Sequence, residues 1–169
     1  MFKKTIISVS VFILMLFLVS CSKTLDYSDV QFRGDLCYKI NSEDPFTGKV
    51  VRKYSNGQKR SEAKYDDGKM VGKYITWFRN GSKEYQANFV DGKIDGKSMQ
   101  YYNNGQKKYE TNYKNGKKEG VARYWNSKGI LRSETNYKND KKDGKETLWN
   151  SKGKIKSEKI YKEGKVVKK

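Results

Sequence analysis

The chain has 169 residues, 37 Lys and Arg against 19 Asp and Glu, a formal net charge of +18 and no histidine. That length suits one domain. Without His, and with Cys21 and Cys37 as the only thiols, the sequence excludes a His-based triad, a Cys/His zinc site and imidazole acid–base chemistry, so no metal, no cofactor and no catalytic residue are expected. Leu, Ile, Val and Phe number 34, of which 12 precede Cys21; the 22 left among the remaining 149 residues are a fraction ordinarily found in disordered chains. A folded core must therefore draw on the 13 Tyr and 3 Trp.

At the N-terminus, Lys3-Lys4 precedes an apolar run from Ile6 to Val19 broken by Ser8 and Ser10. Residues 1–20 read as an export signal. A helix of about 14 apolar residues spans about 21 Å, short of the ~20 residues that cross a bilayer, which disfavours a retained signal anchor. The segment ends in Leu18-Val19-Ser20-Cys21 and resembles the bacterial lipoprotein lipobox, whose Cys is diacylated on sulfur and becomes the first residue after cleavage. The resemblance implies lipidation at Cys21 and a place in the cell envelope, held to the membrane by two or three acyl chains. The site would be the outer membrane in a cell with two membranes, since Ser22 rather than Asp follows the Cys, and otherwise the outer face of the cytoplasmic membrane. The plainer alternative is an ordinary signal peptidase site with a free Cys nearby.

Residues 21–35 then read as the lipidated N-terminus and a polar tether. Loss of residues 1–20 removes Lys3 and Lys4 and leaves +16, with Cys37 the one unmodified thiol and no internal disulfide. In Leu36-Cys37-Tyr38-Lys39-Ile40, strand alternation puts Leu36, Tyr38 and Ile40 on one face and Cys37 beside Lys39 on the other, so Cys37 reads as a small passive residue.

From Gly48 the chain divides without gaps into five units of 24 residues, 48–71, 72–95, 96–119, 120–143 and 144–167, within a repeat domain of residues 36–169. Position 1 is Gly in every unit (Gly48, Gly72, Gly96, Gly120, Gly144), as is position 10 (Gly57, Gly81, Gly105, Gly129, Gly153). Position 18 is always aromatic (Tyr65, Phe89, Tyr113, Tyr137, Tyr161), position 22 always Lys, and position 15 is Glu62, Gln86, Glu110, Glu134 and Glu158.

Asn56-Gly57, Asn80-Gly81 and Asn104-Gly105 predict two-residue type I′ hairpin turns. Asn126-Ser127-Lys128-Gly129 and its fifth-unit counterpart predict a longer turn, and Asp67-Gly68, Asp91-Gly92 and Asn115-Gly116 mark a second turn that opens the next hairpin. The position-1 glycines lie outside any turn dipeptide and predict close approach of a neighbouring aromatic ring. Alternation such as Lys83-x-Tyr85-x-Ala87-x-Phe89 has period two, and glycine in every half unit disfavours helix. The predicted fold is all-β: an antiparallel meander of repeated hairpins forming a single-sheet solenoid after an N-terminal signal helix, its core a ladder of aromatic rings.

The pattern Tyr-x-x-Gly-Lys-x-x-Gly, an aromatic, Asn-Gly and Glu-x-x-Tyr resembles the variant MORN repeat of the bacterial YwqK-type antitoxin family, over roughly residues 36–167. The entry Pro45-Phe46-Thr47-Gly48-Lys49 resembles the start of that family's arrays. The resemblance implies an elongated binding sheet and an antitoxin-like role, although a lipid-anchored exported protein is poorly placed against a cytoplasmic toxin. The reading that follows is a membrane-anchored binding module for a protein partner or an anionic envelope component, with oligomeric state and binding residues unassigned. The alternatives are a general binder of envelope polymers or lipid headgroups and a structural spacer. Nucleic acid is disfavoured by export and by aromatics needed for the core, a point on which the burial of Tyr109, Trp125 and Tyr137 bears. Catalysis would fall to the glutamates of position 15, such as Glu110, whose better role is cross-strand pairing with Lys and Arg.

Overall fold

The computed structural model describes residues 23–168; the export signal and Cys21 lie outside the described residues. The strands are β1 (Thr24–Asp26), β2 (Val30–Arg33), β3 (Leu36–Lys39), β4 (Gly48–Lys53), β5 (Lys59–Asp66), β6 (Lys69–Trp77), β7 (Lys83–Val90), β8 (Lys93–Ile94), β9 (Gly96–Tyr101), β10 (Lys107–Lys114), β11 (Lys117–Trp125), β12 (Leu131–Lys138), β13 (Lys141–Trp149), β14 (Ile155–Lys162) and β15 (Lys165–Lys168). From β4 onward they pair antiparallel in chain order, with β8 a short stub on β7, and β1 lies parallel to β4 on the outer edge. The expected all-β meander is the architecture: one open sheet, with β2 and β3 forming a separate hairpin.

The 24-residue period is visible in the register. Each position-1 glycine sits opposite the position-18 aromatic of its own unit, Gly48 with Tyr65, Gly72 with Phe89, Gly96 with Tyr113, Gly120 with Tyr137 and Gly144 with Tyr161. The glutamates of position 15 therefore share the opposite face with the position-2 and position-4 residues.

The Asn-Gly turns are not of the expected type I′. At the Asn-Gly turns only the glycine has positive φ (Gly57, 82°), its amide donates to the Tyr54 carbonyl (2.9 Å), and the Tyr54 amide donates to Gln58 (2.8 Å). This is a three-residue loop, a type I turn closed by a left-handed glycine bulge, instead of a two-residue type I′ turn. The fourth and fifth units use the same loop, not a longer one: the Gly129 amide donates to Asn126 (2.9 Å) and the Asn126 amide to Ile130 (3.0 Å). There the asparagine has moved to the first position, and its Oδ1 accepts from the amides of Lys128 and Ile130, both at 3.0 Å. Type I′ geometry belongs to the second turn, where both central residues have positive φ, as at Asp67 and Gly68 (46° and 73°) and even at Asn139 and Asp140 (47° and 67°).

The position-1 glycines answer mainly to backbone conformation. Gly120 has φ 82° at a point where pairing slips from Thr111 with Ala122 to Tyr113 with Lys118. A Cβ there would meet only Asn112 Nδ2 at 4.0 Å, so no ring presses on it. The expected close ring is present at Gly48 alone among the five, where a Cβ would lie 2.6 Å from the Phe46 ring.

Successive units are stitched along both edges. On the second-turn edge, Gly92, Gly116, Asp140 and Gly164 donate their amides to the carbonyls of Met70, Ile94, Lys118 and Lys142 at 2.8–3.1 Å. On the first-turn edge, Tyr54 and Tyr102 hydroxyls donate to the Trp77 and Trp125 carbonyls (2.7 and 2.9 Å), and Asn80 and Asn104 Nδ2 donate to Asn103 and Ser127.

Two expectations change at the N-terminal end. The tether is folded through most of its length: β1, a 3-10 turn at Tyr27–Asp29 and β2 occupy residues 24–33, and the Lys23 carbonyl already accepts from the Lys49 amide (2.8 Å). The apolar residues Leu25 and Val30 explain this, since they pack in or against the core with Cys37, Phe46, Val50, Ala63 and Tyr65. The alternation of β3 is as expected, but its buried side chain is Cys37, fully enclosed, while Ile40 is 43% exposed. The aromatic ladder is also not a dry core, because in a single layer most rings, Trp125 and Tyr137 included, stay half-buried.

Candidate functional site

Strand pairing sets the glutamates of position 15 beside basic partners on one face. Glu62 takes Lys59 (2.6 Å) and Lys49 (3.5 Å), and Glu110 takes Lys107 (3.0 Å), Lys97 (3.1 Å) and Arg123 (3.7 Å). Arg123 also donates to Glu134 (2.7 Å), linking the third and fourth units, and Lys145 pairs with Glu158. Burial alone would raise the Glu110 carboxyl, but the bonds from Lys107 and Lys97 outweigh it and hold the group below the ordinary carboxylate range. The Glu158 carboxyl is held low by the Lys145 bond. Hydrolysis by two carboxylates needs one held protonated near neutral pH, and these two are pulled the other way.

The other face carries the aromatics. Tyr74 meets Tyr85 and Phe89 edge-on, with centroids 6.1 Å apart in each pair, on the side where the N-terminal core lies. Further along, cations lie over the rings: Lys118 stands 5.1 Å from the Tyr137 centroid and Lys142 4.8 Å from that of Tyr161. Tyr109 is 43% exposed and stacks on Tyr124 at 4.7 Å. Of the three rings singled out in the sequence, Tyr109 alone is open to solvent and Trp125 and Tyr137 are half-buried.

Between the β2–β3 hairpin and the main sheet lies a cleft of about 500 Å³ lined by Phe32, Leu36, Tyr65 and Met70, with the Lys69–Asp91 ion pair (2.7 Å) at its rim. Among the described residues no three Asp, Glu or Cys side chains converge as metal ligands. Cys37 is sealed in the core, and burial pushes its thiol up to about 11.

Charge is unevenly placed. Residues 22–95 carry 14 basic and 11 acidic side chains, whereas residues 96–169 carry 21 and 8. Periodic reading of the sequence missed the acids at position 24. Asp95, Glu119 and Asp143 each accept the amide of a second-turn residue in the following unit, Asn115 (2.9 Å), Asn139 (3.0 Å) and Glu163 (3.1 Å). The signal was an acid immediately before the unit's first glycine.

The sequence profile of the MORN repeat variant matches residues 70–91, 94–115, 118–139 and 142–163. Those four repeats begin at position 23 of the 24-residue frame, and the unit 48–71 lies almost wholly outside them although β4 and β5 pair in the same register. A search of curated proteins finds no match.

Proposed function

Because the chain belongs to the MORN repeat variant family, whose repeats generally serve as interaction modules, we propose that it is a membrane-anchored binding module, lipidated at Cys21 and without catalytic activity. The observation that carries this reading is the regularity of the sheet: units are stitched by the same bonds, and four of the five position-15 residues are glutamates paired with Lys or Arg. One unit departs from the pattern: in the fifth, a buried glutamate, Glu146, gathers Lys142, Tyr161 and Thr135, and its oxygens are taken up by those three donors. A repeat sheet of this kind offers an extended surface of recurring chemistry, suited to a partner and not to a small substrate. Lipidation at Cys21 would hold the sheet close to the bilayer, since only Ser22 and Lys23 separate it from β1 and the three steps from Cys21 to Thr24 span at most about 11 Å.

The partner is a protein of the envelope, bound in the manner of an antitoxin or assembly factor. Capture from detergent-solubilised cells, with Cys21→Ala as the unanchored control, tests this. One protein recovered at both low and high salt supports it, whereas anionic lipid or polymer alone, lost at high salt, replaces it with a general envelope binder. Mass spectrometry of the N-terminal peptide tests the anchor: an unmodified Cys21 removes that part of the reading. A hydrolytic activity lost in Glu110→Gln would overturn the non-enzymatic part.

A further inference from the structure

The second-turn edge carries a feature that strand stability does not explain. In the type I′ hairpins the residues at positions 19 and 22 face each other directly. In the first unit the pair is Asp66 with Lys69, and in the second Val90 with Lys93. In the last three units it is Lys114 with Lys117, Lys138 with Lys141 and Lys162 with Lys165. Like charges directly opposite across two strands are destabilising, and here the arrangement occurs three times in succession. All six lysines are exposed, and only Lys162 has an ion-pair partner among the described residues, Asp143 at 3.3 Å. Edge protection does not account for them, because turns that close hairpins leave no open strand to pair, apart from β15 itself.

The turn-to-turn amide bonds fix the spacing of these pairs along one line. Two strands separate successive pairs, about 9.5 Å, so three pairs extend about 19 Å. Between the turns of the fourth and fifth units lies a cleft of about 140 Å³ lined by Lys138, Lys141 and Lys162, with Asp143 and Glu163 also at its wall. No arginine stands at positions 19 or 22, so nothing there imposes planar two-pronged recognition; the lysines act as point charges.

We propose that the second-turn edge of the last three units is a docking ridge for a linear polyanion, which lies along the edge and meets one lysine pair per unit. This deepens the reading of the array as a binding module and rests on it. A chain long enough to touch all three pairs gains by effective concentration over one that touches a single pair.

The test uses the full chain purified in neutral detergent, with inorganic polyphosphate of increasing length as probe. Long polyphosphate is expected to bind at least tenfold more tightly than tripolyphosphate, with steep loss on raising salt. The triple variant Lys114→Gln, Lys138→Gln and Lys165→Gln is expected to lose tenfold or more in affinity while melting no lower than the parent, since each change relieves a like-charge pair and leaves the Lys162–Asp143 ion pair intact. A control with equal charge loss elsewhere, Lys53→Gln, Lys64→Gln and Lys73→Gln, is expected to lose less than threefold. Equal losses in both variants would overturn the ridge in favour of overall charge. Absence of length dependence, or binding to anionic vesicles without binding to polyphosphate, would overturn the linear ligand. A chain that binds no polyphosphate yet captures a protein partner would sink the ridge and leave the module standing.

Discussion

Val50 and Glu146 occupy the same position of the repeat, one in the first unit and one in the fifth, and both are buried, at 4% and 7% exposure. At the first unit the β2–β3 hairpin and Phe46 supply a second layer, so the position can be apolar and joins Val30, Cys37, Ala63 and Tyr65 in a core. The fifth unit has no such layer. Its carboxylate is enclosed by neighbours of its own face, accepting from Lys142, from the Tyr161 hydroxyl (3.0 Å) and from Thr135 (3.4 Å). A single-layer repeat sheet thus uses hydrophobic burial where it is capped and saturated polar contacts where it is bare. That is how it folds with so few aliphatic residues.

Exchanging the two side chains tests the contrast most severely. Val50→Glu places a charge in the apolar core without a partner, and a loss of about 3–5 kcal/mol is expected. Phe46→Ala, which empties a ring from the same core, should cost a similar ~3–5 kcal/mol. Glu146→Val removes an ion pair whose lysine still reaches solvent, and its expected cost is below about 2 kcal/mol. Urea unfolding of each variant measures all three. A Glu146→Val loss as large as that of Val50→Glu would mean that the polar end is as tightly organised as the capped one.

The ends should also fail at opposite extremes of pH. In the cap, burial pushes the Cys37 thiol up to about 11 and the Tyr65 hydroxyl up to about 12. Both groups stay neutral in the fold after the unfolded chain has begun to ionise. Their contribution is therefore complete below about pH 9 and is lost as pH rises through the folded values. For Glu146, burial alone would raise the carboxyl, but the bonds from Lys142 and Tyr161 outweigh it and leave it lowered. Its contribution is present above about pH 4.5 and lost as pH falls through the lowered value. Hydrogen exchange followed by strand should show β4 and β5 losing protection first in alkali and β13 and β14 first in acid. A single transition common to all strands at both extremes would remove the distinction.

Much of this was legible in the sequence. Glycine and aromatic columns set the unit length, and the register places the position-1 glycine opposite the position-18 aromatic in all five units. The pairing of the position-15 glutamates with basic residues followed from opposite charges recurring on one face. Other features were hidden for physical reasons. An Asn-Gly dipeptide permits two turn types, and strand connection decides between them. The cap was missed because Leu25 and Val30 are isolated apolar residues in a polar segment; their value comes from a surface that exists only once β4 and β5 have formed. Burial of Glu146 was illegible because a glutamate at a core-facing position reads as exposed until Thr135 and Tyr161 of the two neighbouring strands join Lys142 of its own strand around it.

The glycine column offers a milder form of the same contrast. At Gly48 an added methyl would fall on the Lys23 carbonyl and the Phe46 ring, so Gly48→Ala must displace the cap. At Gly120 the space is open and only the left-handed backbone objects, which sets the cost of Gly120→Ala at about 1–2 kcal/mol. Thermal melting should place Gly48→Ala well below Gly120→Ala. Equal shifts would show that conformation alone governs the column.

The smallest effect isolates one stitch between units. Asn104 Oδ1 caps its own turn through the Gln106 amide (3.1 Å), while its Nδ2 reaches the Ser127 carbonyl of the next unit (2.9 Å). Asn150 stands two places earlier in its turn, as Asn126 does, and its Oδ1 serves the amides of Lys152 (2.9 Å) and Lys154 (3.1 Å). Replacing either by Asp keeps the acceptor and removes the donor. Asn104→Asp should therefore cost about 0.5–1.5 kcal/mol more than Asn150→Asp, the value of one hydrogen bond between units. If both cost the same, the Asn104 bond contributes nothing to cohesion, and the Tyr102 hydroxyl with the amide bonds of the second-turn edge holds the third and fourth units in register.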